Sequence, residues 1–188
     1  LILAILVLLW ARATRTPWRD LGFVRPASWT RTILTGIAFG VFLKIVLKAI
    51  VMPLFGAEPA NPAFQYLIGN TAALPGILWT VIVSAGFGEE VVFRGFLFER
   101  FGKLIGRSAA AKITTVIVTS ALFAAVHYSL QGWPGVQQAA VVGLVFGAIY
   151  AATGRLWLLI IAHAAFDVAA VAIIYFNLEY SVAHLVFH

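Results

Sequence analysis

The sequence predicts an all-α, polytopic transmembrane helical bundle of about six helical segments, the first of them truncated. Three observations predict it. Of the 188 residues, 62% are hydrophobic and only 11% charged, well below the ~25% charged of a soluble domain. Apolar runs of about 20 residues, the length that crosses a ~30 Å hydrocarbon core, recur along the chain. The runs are long and continuous rather than alternating with period two, so strands are not expected.

Leu1–Trp10 reads as the end of a membrane helix, because it is too short to span alone and no small-residue cleavage site follows it. Helices are then expected at Thr32–Met52, Pro75–Phe98, Ile113–Tyr128, Val136–Thr153 and Leu156–Phe176. Pro53, Pro75 and Pro134 fall at the run boundaries, where proline starts or stops a helix. Gly143 and Gly147 form a small-xxx-small pattern suited to close helix contact. The chain divides into N-terminal helices with a basic connector (1–74), a core (75–172), and a helix end with a tail (173–188).

Charge placement sets the orientation. The net charge of +6 does not point to nucleic acid, because the basic residues sit in short connectors where they meet lipid headgroups. Arg12, Arg15, Arg19, Arg25 and Arg31 occupy the first connector, and Arg100, Lys103, Arg107 and Lys112 a later one. Arg155 marks a third, whereas residues 53–74 and 129–135 carry no lysine or arginine. Basic loops face the cytoplasm, so a multi-pass protein of a cell membrane is expected, of prokaryotic inner-membrane type, with its C-terminus outside. Lys44 and Lys48, four apart on one helix face, are expected to snorkel toward the outer surface. With no cysteine, disulfides and thiolate metal sites are excluded.

Glu89, Glu90 and Arg94 interrupt the run 74–98. One charge at the centre of a membrane helix costs about 2.5–3.5 kcal/mol; three unpaired ones could approach ~10 kcal/mol as an upper bound. Ionisable groups at such depth are candidates for function. Glu90 and Arg94, and likewise His163 and Asp167, have the i,i+4 spacing that shares a helix face. His127 ends another apolar run. Each has a structural explanation alone: an ion pair, an interhelical hydrogen bond, or an acid orienting a ring. Together, three helices each supply an acid, base or imidazole, which is how bundles build catalytic centres. Glu99, Arg100 and Arg155 are read as solvated helix ends. Counting ~1.5 Å per residue, His127 is expected several ångströms deeper than Glu89, Asp167 and His163.

Glu89-Glu90-Val-Val-Phe-Arg94 resembles the EExxxR signature of the CAAX protease and bacteriocin-processing family of intramembrane endopeptidases. Phe123-Ala-Ala-Val-His127 resembles its FxxxH motif, and His163-Ala-Ala-Phe-Asp167 its third motif, His followed four residues on by Asn or Asp. The resemblance covers roughly residues 75–172. It implies hydrolysis of a peptide bond near the C-terminus of a membrane-associated protein or peptide by activated water. Glu89 would be the base, helped by His127; His163 and Asp167 would stabilise the oxyanion; Glu90 and Arg94 would hold Glu89 in place. It does not imply a prenylated substrate.

Eukaryotic members tend to show Asn where this chain has Asp167. Asp167 is therefore protonated, or orients His163, or binds metal. No cofactor is favoured; the alternative is zinc held by His127, His163 and Glu89. Two further classes compete: a non-catalytic immunity or resistance factor of the same fold, and a transporter relaying protons through these residues.

Overall fold

The computed structural model describes residues 1–187. Helix α1 (Ile2–Ala13) leads through a 3₁₀ turn (Trp18–Leu21) to α2 (Trp29–Leu54). A second 3₁₀ turn (Pro62–Leu67) precedes α3 (Thr71–Ile105), followed by α4 (Ala109–Val126), α5 (Tyr128–Thr153) and α6 (Leu156–Tyr175). A short α7 (Glu179–Ala183) closes the chain. Helices α2 to α6 are long and apolar enough to cross a membrane, and α1 is a shorter apolar helix. The protein is an all-helical, multi-pass membrane bundle.

Local signals set the helix ends. Ser28 and Ser108 accept from the amides of Arg31 and Ala111, capping α2 and α4. Gly154, at φ 61°, closes α5 in the left-handed conformation. Helix α5 is broken at Gly132 (φ 65°, ψ −160°), and Pro134 sits in the first turn after the break. The expected connector before Val136 is therefore a kink rather than a loop.

Helix α6 lies at the centre, and small residues let its neighbours approach. On α2, a Cβ at Gly40 would stand 2.1 Å from the Ala162 carbonyl oxygen, and one at Gly36 2.8 Å from Ile161 Cγ2. On α3, a Cβ at Gly86 would stand 2.9 Å from the Ala164 methyl. Gly143 and Gly147 of α5 pack on Ser120 and Val116 of α4, the close contact their spacing predicts. Buried Leu47, Val91, Phe123, Phe146, Leu156 and Leu159 share one core. Ile33, Leu34, Phe42, Ile113 and Ile117 point outward, where lipid covers them.

The connectors gather at two ends. At the basic end the Leu156 amide donates to Gly22 O at 2.9 Å, and Arg100 lies 4.3 Å over the Trp10 ring. At the other end the Gly69 amide donates to Tyr175 O at 3.0 Å, and Asn61 donates to Gln131 O at 3.4 Å.

Two expectations are corrected. Helix α3 runs past Phe98 to Ile105, and Glu99 is not solvated: it is buried and paired with Arg100 and, at 2.6 Å, with Lys103. Lys44 and Lys48 do not snorkel freely into the surface. Lys44 is buried and donates to Gln138 Oε1 at 2.9 Å, and Lys48 pairs with Glu179 at 3.0 Å.

Candidate active site

The helix bearing Glu89 is wound unusually. Thr80–Glu89 and Val91–Phe96 form π-helical turns, a geometry that recurs at functional sites. Adjacent residues on a helix point about 100° apart, so the two glutamates diverge. Glu90 is fully buried, whereas the Glu89 side chain is 31% exposed and reaches a cavity.

Glu90 organises the buried side. Its Oε1 accepts from Arg94 Nη1 at 2.8 Å and lies 2.7 Å from His163 Nδ1 on α6. Arg94, 2% exposed, is sandwiched by the Phe123 ring at 4.5 Å and the Phe146 ring at 5.7 Å. The aromatic faces and the carboxylate together compensate a guanidinium that has left water. With Nδ1–H donated to Glu90, His163 turns Nε2 toward the cavity. The resemblance implies Glu90 and Arg94 as supports for Glu89; in the structure Glu90 also contacts His163, and Arg94 contacts Glu90.

Glu89, His127, His163 and Asp167 converge on that cavity of about 280 Å³. Glu89 Oε2 stands 4.0 Å from His127 Nε2 and 3.8 Å from His163 Nε2, and has no hydrogen-bond partner of its own. The His127 ring is fixed from behind, with Nδ1 2.7 Å from the Phe123 carbonyl oxygen. A carbonyl only accepts, so Nδ1 carries a proton and donates it, which turns Nε2 toward the cavity. Asp167 Oδ2 lies 3.6 Å from His163 Nε2, beyond hydrogen-bond range. Glu90 rather than Asp167 therefore sets the ring of His163.

All six sequence-identified residues thus belong to one constellation, including His127, whose depth had not matched. Gly95 packs on Leu21 and Leu156, so α6 begins level with Gly95. Glu89 lies six residues from Gly95, and His163 seven from Leu156; α3 simply continues beyond that level to Ile105. The real helix ends next to His127's hairpin, Ile105 and Ala109, lie sixteen residues from Glu89 and eighteen from His127. At ~1.5 Å per residue that difference is only ~3 Å.

The sequence did not place Lys44 or Gln138 at the site, yet both line the same cavity. The available signal was a lysine inside an apolar run. The zinc alternative lacks a ready ligand set: among the described residues no three His, Asp or Glu side chains are arranged to hold a metal ion.

No curated protein and no solved structure matches the chain. Residues 71–169, 99 of the 188, match the family described as type II CAAX prenyl endopeptidase Rce1-like. With more than half of its length matched, and with the three motif helices inside that stretch, the chain belongs to the Rce1-like type II CAAX prenyl endopeptidase family.

Proposed function

We propose that the protein is an intramembrane endopeptidase that hydrolyses a peptide bond near the C-terminus of a membrane-associated protein or peptide. Residues 75–172 form its catalytic core. The observation that carries this reading is Glu89 Oε2, unpartnered and 4.0 Å from His127 Nε2 at the cavity wall. A water at ~2.8 Å from each atom bridges such a gap. Glu89 takes a proton from this water as its oxygen attacks the carbonyl carbon, and His127 Nε2 orients it. His163, held by Glu90 as an imidazolium with a proton on each ring nitrogen, donates from Nε2 to the oxyanion. A neutral Asp167 donates a second hydrogen bond. Collapse of the tetrahedral intermediate breaks the C–N bond, and Glu89 returns its proton to the leaving nitrogen.

The basic end faces the cytoplasm in this reading and the C-terminus lies outside, in line with the charge rule. Glu58, Pro59 and Asn61 of the opposite end line the cavity, so substrate reaches Glu89 from the outer side. Cleavage of membrane peptides by detergent-purified protein, present in wild type and lost in Glu89→Gln, tests the activity. Equal cleavage by both would overturn it.

A further inference from the structure

Lys44 is 7% exposed, buried in the wall of the Glu89 cavity, and has no carboxylate within 4.0 Å among the described residues. Every other strongly buried charge is matched: Arg94 by Glu90, Glu99 by Arg100 and Lys103, and Glu179 by Lys48. Lys44 Nζ donates one hydrogen bond, to Gln138 Oε1 at 2.9 Å, and sits 5.0 Å over the Phe166 ring. An ammonium has three donors, so two N–H groups remain. Because Gln138 uses its oxygen on Lys44, its Nε2 is left with no partner among the described residues. Asp167 and Glu179 act on this ammonium only through space, so its two spare N–H groups have no acceptor and a buried cation is left without a direct partner.

We propose that Lys44 and Gln138 form a subsite for the C-terminal carboxylate of the substrate. The inference rests on the endopeptidase reading and assigns the residues that select its substrate class, polypeptides with a free carboxyl end. The chemistry fits in three respects. One ammonium and one amide N–H₂ side by side offer a donor to each of a carboxylate's two oxygens. A single net positive charge matches a monoanion; a phosphate dianion would find no second free cation, since Glu179 neutralises Lys48. Glu89 lines the same cavity, so a peptide whose end is held at Lys44 keeps its scissile bond on the Glu89 side.

The test uses fluorophore-labelled pools of short apolar peptides in three forms: free acid, C-terminal amide, and amide ending in Asp. Wild type is expected to favour the free acid by about tenfold to hundredfold, the range of one charge-assisted hydrogen bond. The preference is expected to appear in KM more than in kcat. Lys44→Met should abolish it, and Lys44→Arg should keep part of it. Gln138→Glu supplies a carboxylate to Lys44 from within the chain and should abolish it without removing the buried cation. An unchanged preference in Lys44→Met and Gln138→Glu overturns the subsite, as does equal handling of acid and amide by wild type. Full activity on the Asp-ending amide overturns the C-terminal assignment. If wild type cleaves no pool, the endopeptidase reading fails separately. Fluorescence anisotropy with the same three pools and variants then decides the subsite by the same ratios.

Discussion

Glu90 Oε1 lies 2.7 Å from His163 Nδ1 while also accepting from Arg94 at 2.8 Å. One carboxylate oxygen thereby joins a cation on its own helix to an imidazole 73 residues away. The buried ion pair is thus part of the support for a cavity-facing ring, since a fixed Nδ1 partner fixes where Nε2 points.

This relationship predicts an asymmetry between single and double variants. Arg94→Ala should cost ~3–5 kcal/mol by leaving Glu90 buried without its cation. Melting temperature in detergent and yield should fall along with activity. Glu90→Gln should also destabilise by stranding Arg94. Combining Glu90→Gln with Arg94→Met removes both charges and should cost less than the sum of the singles. A stable but inactive Arg94→Ala would place Arg94 in substrate binding instead.

Glu89→Ala and His127→Ala should each lower cleavage ~10²–10⁴-fold with an unchanged melting temperature. The two residues act on one water, so the double variant should be hardly worse than either single. Initial rates together with thermal melts check this. Near-normal cleavage by either single variant removes the water-activation assignment.

Asp167 separates the metal-free mechanism from the zinc alternative. If the carboxyl donates a hydrogen bond to the oxyanion, Asp167→Asn retains activity, because the amide supplies N–H donors of similar reach. The loss of activity at high pH should also move or vanish, since a carboxyl that deprotonates there loses its donor and an amide does not titrate. Rates against pH, with and without chelator, provide the readout. Chelator-sensitive activity that Asp167→Asn destroys would favour a metal ligand.

Gly40 and Gly76 should respond oppositely to alanine. At Gly40 the new methyl would stand 2.1 Å from the Ala162 carbonyl oxygen, a backbone atom that cannot swing aside. A loss of about 1–3 kcal/mol is expected. At Gly76 nothing lies within 4 Å, so helix propensity should make alanine neutral or stabilising by ~0.5–1 kcal/mol. Paired thermal melts read the difference.

The absence of cysteine makes orientation directly measurable. A membrane-impermeant maleimide on intact cells should label Glu58→Cys and spare Arg107→Cys until the cells are opened. Both positions are exposed. The reverse pattern would turn the cavity mouth toward the cytoplasm.

The sequence determined the helices, since each membrane span satisfies its backbone hydrogen bonds within itself and announces itself by length and apolarity. It also determined which residues share a face at i,i+4, so Glu90–Arg94 was legible as a pair. It did not determine where α3 stops, because Leu97–Ile105 trades apolar continuity for charge and remains helical. Nor did it show which way Lys44 faces. In lipid a helix needs no polar side, so an almost uniformly apolar α2 carries no periodic signal of its inner face. Tertiary structure decided that face through close packing, with Gly36 and Gly40 seating α2 on α6 and turning Lys44 into the cavity. The same packing gave Glu90 to His163 and brought His127 to Glu89. Those contacts join side chains far apart in sequence, and in a bilayer they depend on steric fit and a few polar bonds rather than on hydrophobic pattern.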